Sequence, residues 1–462
     1  MNALCIGHWM ATLLAAQAAV RQNEPPARYD GQKLVRVHLD SPRTIALLER
    51  TSRECWSHEI GVGVVADYRV SAQEFAALER AGVVCEVVID DLQKPVDEER
   101  ARLQGRGPGG RSWFDDFKPL GEVSAYCDLL AANHPGVVER QTVGHSIEGR
   151  EIFALKISGP QGAEGKPALF FDATQHAREW ISVSSVMYLA DALSNGYGVD
   201  PQITELLDAF AVYIVPVANP DGYHITWTTD RYWRKNSRVV FDKVYGVDPN
   251  RNWGYKWGMA GSSASASSET YRGTAPFSEP ETAAMRDYIQ QIPGLMAAID
   301  FHSYGQLVLS PWGYTPTPPT GIGSFTSVGN AMKAAILASR GVRYTVGICN
   351  TTLYATSGSA PDWFYGELNV PAWTIELTQG PFVIAPSAIV PTGKLTLAAV
   401  IALAEHVCPA DIDGSGFMNG VDFDEFVAWF VAGDIRADYD RDTFLNGVDF
   451  DSFVDAFVRG CF

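Results

Sequence analysis

Apolar and polar positions alternate over Lys33 to Asp40, and apolar residues then recur at helical spacing over Ser41 to Cys55. The two periods repeat in Ile60 to Val70, Ser71 to Gly82 and Val83 to Asp91. Period 2 predicts half-buried strands and period 3.6 predicts amphipathic helices, so this stretch reads as a small α+β unit. Ser71 and Glu74 form a capping-box pair that starts its second helix. Apolar runs near 137–158, 166–174, 211–218, 295–301, 306–311 and 371–378 predict further strands. Together they predict an α/β fold with a mixed, twisted sheet flanked by helices. Near the C-terminus, Phe423 to Phe430 and Phe450 to Phe457 carry aromatic and aliphatic residues at helical spacing, which predicts two short helices.

With 462 residues, 46% of them apolar, the chain can build a large core and more than one domain. No apolar run reads as long enough to span a membrane. Residues 9–20 form a short apolar stretch with Ala16-Gln17-Ala18 as a cleavage site, so residues 1–18 read as an export signal and the protein as secreted. That start lacks Lys and Arg, and a disordered N-terminus is the alternative. Gly105-Arg106-Gly107-Pro108-Gly109-Gly110-Arg111 sets two basic residues among Gly and Pro, an exposed linker open to a trypsin-like protease.

Candidate chemistry begins after the run Phe170-Phe171-Asp172-Ala173-Thr174. There Gln175-His176-Ala177-Arg178-Glu179 brings an imidazole and a carboxylate three positions apart, so one turn can supply two zinc ligands. His302, which ends the run Leu295 to Phe301, is the candidate third ligand, 123 residues beyond Glu179. Three protein ligands leave one coordination position open, the catalytic pattern.

These residues stand with Asn219-Pro220-Asp221-Gly222, Arg231-Tyr232-Trp233-Arg234-Lys235-Asn236, Gly246-Val247-Asp248-Pro249-Asn250-Arg251-Asn252-Trp253, His302-Ser303-Tyr304, Tyr354 and Glu376. In order and spacing over residues 112–407 the set resembles the zinc metallocarboxypeptidases of the carboxypeptidase A, B and T type. The resemblance implies that His176, Glu179 and His302 hold zinc and that Asp248 orients a ligand imidazole. It implies that Glu376 is the general base and that Arg234 stabilises the oxyanion of the tetrahedral intermediate. Asn250 and Arg251 correspond to the pair that binds the substrate's free C-terminal carboxylate, Tyr354 to the tyrosine that closes over it, and Arg178 to a further substrate contact. An arginine on the terminal carboxylate would present only the last peptide bond to the metal. Pro361 aligns with the floor of the specificity pocket, where members selecting Lys and Arg carry Asp, so apolar or aromatic C-terminal residues are expected.

Residues 27–105 resemble the activation domain of secreted procarboxypeptidases, a ferredoxin-like sandwich that covers the cleft, with 106–111 as the cleavable linker. Residues 408–462 hold twelve acidic and three basic residues, half of the chain's net charge of −18. Within them a motif recurs after 27 positions, placing Asp411, Asp413, Ser415, Asn419 and Asp422 in one loop and Asp438, Asp440, Asp442, Asn446 and Asp449 in the other. Such oxygen-rich loops suit Ca²⁺. The pair resembles a dockerin-type calcium module, which implies a cohesin-like or cell-surface partner. Cys408 and Cys461 bracket the module and would form a disulfide in an exported protein.

Two other readings compete with the carboxypeptidase one. One is a zinc amidase or peptidoglycan peptidase of the same superfamily, which would lack the Asn250–Arg251 and Tyr354 anchor. The other is an inactive calcium-dependent binding protein, which would not need Glu376 and Arg234. The acidic balance and the lack of a basic stripe argue against a nucleic-acid partner.

Overall fold

The computed structural model describes residues 25–51, 54–56, 62–105, 112–241, 243–407, 410, 412, 419–439 and 444–459. The first alternating stretch is strand β1 (Lys33–Leu39), with Val35, Val37 and Leu39 fully buried. It is followed by α1 (Pro42–Thr51), β2 (Glu54–Cys55), β3 (Val64–Val70), α2 (Ala72–Arg80), β4 (Cys85–Ile89) and α3 (Gln93–Gln104). The four strands form one antiparallel sheet in the order β2-β3-β1-β4. The capping box is present at α2: Ser71 Oγ accepts the Glu74 N–H, and Glu74 accepts the Ser71 N–H. The segment read as one helix to Cys55 instead leaves the helix at Thr51 and ends in the short strand β2.

The larger unit runs through α4 (Leu120–Asn133), β5 (Val138–His145), β6 (Glu151–Ile157), β7 (Ala168–Ala173), α5 (Trp180–Gly196), α6 (Pro201–Ala209), β8 (Ala211–Val215), α7 (Pro220–Thr228) and the hairpin β9 (Val239–Val240) and β10 (Lys243–Val244). It continues with α8 (Pro280–Ile289), β11 (Leu295–Ser303), β12 (Leu307–Ser310), α9 (Ile322–Arg340), β13 (Thr345–Ile348), α10 (Cys349–Thr352), α11 (Ala360–Leu368), β14 (Ala372–Leu377) and α12 (Ile389–His406). Eight strands form a mixed sheet in the order β13-β12-β14-β11-β7-β8-β6-β5, as the apolar runs predicted. The four central strands are parallel, and β7, β8 and β14 are buried at every position. Strands covered on both faces read as continuous apolar runs, which is why they were legible. The run over 137–158 is two antiparallel strands, and β13 was not anticipated, being a four-residue edge with a central glycine.

The expectation of no membrane-length apolar segment needs correction. Pro386–His406 is long and apolar enough by composition, with mean hydropathy 1.6. Its helix α12 places Leu395, Val400 and Leu403 in the main core beside α5 residues Val186 and Leu193, which accounts for that composition in a folded interior.

Helices α13 (Gly420–Ala432) and α14 (Gly447–Arg459) form a separate aromatic cluster in which the Phe426 and Phe453 rings stack at 3.9 Å. The sequence repeat is repeated in the hydrogen bonds. Asp422 accepts the Asn419 N–H at 2.8 Å, and Asp449 accepts the Asn446 N–H at 2.7 Å. Asp411, Asp413, Ser415, Asp440 and Asp442 lie outside the described residues, as do Cys408, Cys461, Arg106, Arg111 and the export signal. Cys55, Cys85, Cys127 and Cys349 are free thiols.

One buried group makes the fold sensitive to pH. Glu281, in the first turn of α8, is 1% exposed and lies near Asp221 and Glu279, which pair with Arg150 and Arg238. Burial, with Asp221 and Glu279 adding to it, pushes its carboxyl up to about 8. An unfolded chain releases this proton near the ordinary value of 4.5 and the folded chain holds it, so the group's contribution to stability falls as pH rises from 4.5 to about 8. Glu281→Gln removes this loss: urea unfolding at pH 5 and pH 9 should show the variant gaining on the parent at the higher pH, by on the order of a few kcal/mol.

Candidate active site

Strand β7 ends at Ala173, and the chain turns through Thr174, a β-branched residue held at φ 66°, before entering α5. That left-handed conformation costs on the order of 1–3 kcal/mol and aims the next residues across the carboxyl ends of the parallel strands. His176 and Glu179 stand on this turn rather than within a helix. Glu179 is the N-cap residue of α5, but its side chain caps nothing. Its oxygens face two imidazoles instead, 2.9 Å from His176 Nδ1 and 3.0 Å from His302 Nδ1.

His302 comes from β11, whose neighbours are β7 and β14. The register pairs His302 with Glu376 and Asp300 with both Asp172 and Thr374. Parallel pairing thus places a ligand and the candidate general base side by side. One nitrogen or oxygen from each of His176, Glu179 and His302 lies within 4.8 Å of the others, and all three residues are buried. Two imidazole nitrogens and one carboxylate oxygen, convergent and dry, fit zinc.

The surrounding charges hold this set in place. His176 Nε2 lies 3.1 Å from Asp248 Oδ1, which also accepts the Asn250 N–H. Arg234 donates to Asp248 Oδ2 at 3.0 and 3.2 Å. Burial opposes the Asp248 charge, but Arg234, His176 and Arg251 outweigh it and hold the carboxyl well below the usual range. Burial and Arg234 lower the His176 pKa, which suits a neutral ligand. Glu179 is held well below its ordinary value because the two imidazoles overcome its burial.

His176, His302, Asn250, Arg251, Tyr354, Pro361 and Glu376 line one cavity. Arg251 donates from Nε to the Gly261 carbonyl at 2.8 Å and from Nη2 to the Tyr354 hydroxyl at 3.3 Å. Asn250 Oδ1 accepts the Ala360 N–H. Pro361 sits in the first turn of α11 and lines the cavity with Leu309 and Leu353. Asp362 beside it also borders the cavity, but its oxygens accept the Gly313 and Tyr314 N–H groups. Burial pushes Glu376 up to about 8, against the pull of His302. Arg178 is 2% exposed; its guanidinium ion-pairs with Glu54 of the N-terminal unit and lies 4.3 Å from the Phe382 ring.

Residues 123–399 match the profile of the zinc carboxypeptidase family, peptidase M14. The chain belongs to this family. Zinc carboxypeptidase A 1 of Anopheles gambiae is 34% identical over 425 residues, 88% of this chain and 97% of the relative. Carboxypeptidase A1 of Rattus norvegicus is 34% identical over 371 residues, 78% of this chain and 88% of the relative. Among solved structures, carboxypeptidase A of Helicoverpa armigera superposes with a TM-score of 0.73 at 29% identity, covering 81% of this chain and 97% of that one. Thrombin-activatable fibrinolysis inhibitor does so with 0.75 at 28%, covering 82% and 99%. The protein is a zinc metallocarboxypeptidase, a hydrolase.

Sequence reading missed Asp300 in this carboxypeptidase. Its Oδ2 lies 2.8 Å from His302 Nε2 and accepts the Asn250 side-chain N–H at 2.9 Å. The available signal was the i, i+2 spacing to His302, which puts both side chains on one face of a strand. Metal analysis of the purified carboxypeptidase should find about one zinc per chain, as a three-ligand catalytic site requires. Glu179→Ala, which removes the ligand between the two imidazoles, should abolish stoichiometric zinc.

Proposed function

We propose that the chain is the secreted precursor of a carboxypeptidase that removes single C-terminal residues from peptides, with a preference for apolar or aromatic ones. The observation that carries this reading is that Arg251, Glu376, His176 and His302 line one cavity, with Glu179 held between the two imidazoles. Zinc bound there would act as a Lewis acid on the scissile carbonyl and lower the pKa of the attacking water. Arg251 and Asn250 bind the substrate's terminal carboxylate, and the Tyr354 hydroxyl, already hydrogen-bonded to Arg251, closes over it. Glu376 takes a proton from the attacking water and passes it to the leaving amine; a carboxyl raised by burial is matched to that task near neutral pH. Arg234, fixed by Asp248 and fully charged, faces the developing oxyanion. Asn250, Arg251 and Tyr354 in the same cavity favour this reading over a zinc amidase, and retention of Glu376 favours it over a binding protein.

Latency is supported by what the N-terminal unit touches. Glu54 pairs with Arg178, the proposed substrate contact, and with Arg69. Glu99 pairs with Arg231 at 2.6 Å, both residues 2% exposed. Trp56 packs between Tyr232 and Phe382 with ring centroids at 4.8 and 5.0 Å. Residues 27–105 thus act as an activation domain, and cutting at Arg106 or Arg111 by a trypsin-like protease releases it. The C-terminal repeat binds Ca²⁺ through the two acidic loops and presents a docking module to a cohesin-like or cell-surface partner.

The test is mass spectrometry of the trypsin-treated protein with a peptide ending in a free Phe and its C-terminally amidated twin. One residue should be lost from the free acid only, sensitive to a zinc chelator, and more slowly from a Lys-ending peptide. Equal loss from the amidated twin would overturn the exopeptidase reading, and faster release of Lys the preference. Arg251→Ala should lower kcat/KM for the free acid by at least roughly 100-fold, the worth of two charged hydrogen bonds. Glu54→Ala should raise the activity of the uncleaved protein several-fold while leaving that of the cleaved enzyme unchanged.

A further inference from the structure

Asp300 is 1% exposed, and its Oδ1 has no hydrogen-bond partner. On the adjacent rung of β7 stands Asp172, also 1% exposed and also with an unpartnered Oδ1. Two carboxylates side by side in a dry interior cost stability, and an apolar or hydroxyl side chain at position 300 would fill the same site more cheaply. What Asp300 supplies is directional. Its Oδ2 lies 2.8 Å from His302 Nε2, on the ring edge opposite the Nδ1 that faces Glu179 and the metal position.

The neighbouring amide cannot do this job. Asn250 Nδ2 is 3.0 Å from His302 Nε2, but the Asn250 carbonyl oxygen is committed to the Ala360 N–H, so the group facing the imidazole is itself a donor. That amide N–H goes to Asp300 Oδ2 at 2.9 Å. An imidazole that binds metal through Nδ1 carries its proton on Nε2 and needs an acceptor there.

We propose that Asp300 is a positioning residue for the zinc site: its Oδ2 accepts the Nε2–H of His302, fixing the tautomer and ring orientation that leave Nδ1 free for the metal. Each ligand imidazole then has its own carboxylate, Asp248 behind His176 and Asp300 behind His302. The inference rests on the zinc reading of the triad and adds to it a residue in β11, two positions before the ligand it serves. Because the same oxygen accepts the Asn250 amide, Asp300 also ties the metal side of the cavity to the carboxylate-binding side.

The experiment is zinc affinity by competition with a chromophoric chelator, measured on the full chain and on Asp300→Ser and Asp300→Asn, beside the melting temperature of each zinc-free protein. Both variants should bind zinc more weakly, by roughly 10- to 100-fold. Ser should lose more than Asn, which keeps an acceptor without its charge. The zinc-free Asn variant should melt close to the parent, since its amide keeps an acceptor toward His302 and Asn250. Affinity within about twofold of the parent would overturn the proposal, as would a loss of affinity matched by an equal loss of zinc-free stability. If the Ser variant does not fold, the isosteric Asn variant decides the question. Failure of the zinc reading itself would be separate and visible in the parent, as absence of a stoichiometric metal.

Discussion

The Glu179 carboxylate, 1% exposed between two imidazoles, is the interaction on which the rest of the structure depends. Burial alone would drive it to the neutral form, and the two imidazoles outweigh that. Those partners must arrive from different parts of the chain. They do so because β7 and β11 are parallel neighbours whose carboxyl ends open on the same side, so that the turn after one strand faces the last residues of the other. The local rules broken here belong to this arrangement: a threonine at positive φ and a helix whose N-cap side chain caps nothing. Their cost is offset by the dry layer behind them, where Phe171, Ile299, Phe301 and Trp373 are at most 1% exposed.

A second tier of charge keeps the first in shape. Asp248, fully buried, meets His176 and the Asn250 N–H through Oδ1 and accepts from Arg234 through Oδ2, so one carboxylate sets a metal ligand, a cation and the start of the Pro249–Arg251 turn together. Arg251 is then oriented by its own neighbours, the Asn250 and Gly261 carbonyls. Gly261 at φ 82° approaches the Ala355 backbone so closely that a Cβ there would lie 1.6 Å from the carbonyl oxygen, which ties the loop holding Arg251 to the segment carrying Tyr354. Glu54 and Glu99 of the N-terminal unit pair with Arg178 and Arg231 of the larger unit.

Much of this was legible in the chain because the chemistry is local in sequence. His176 and Glu179 share a turn, Asp248, Asn250 and Arg251 share another, and doubly buried strands such as Ala168–Ala173 announce themselves as apolar runs. The elements that escaped were those whose identity is set across strands. Thr345–Ile348 has too little pattern of its own to declare an edge strand, and Asp300 looks like an isolated acid in an apolar run until its neighbours on β7 and β14 are known. Residues 386–406 show the converse: composition alone cannot tell a helix packed into a protein core from one packed in lipid, because both demand apolar side chains.

Glu376 carries the argument for catalysis beyond metal binding. It is 4% exposed, its partner in register is the ligand His302, and burial raises its carboxyl to about 8. In a protein that only held zinc or only docked to a partner, this carboxylate would be a standing loss, since an apolar residue at that buried position would carry no desolvation cost. A carboxyl placed where it destabilises the fold, beside a metal position and lining the cavity that Arg251 also lines, fits the proposed role of exchanging a proton there. The bound metal would pull its pKa down from the metal-free value, and the opposition between burial and that positive charge is what sets such a base near the pH at which it works.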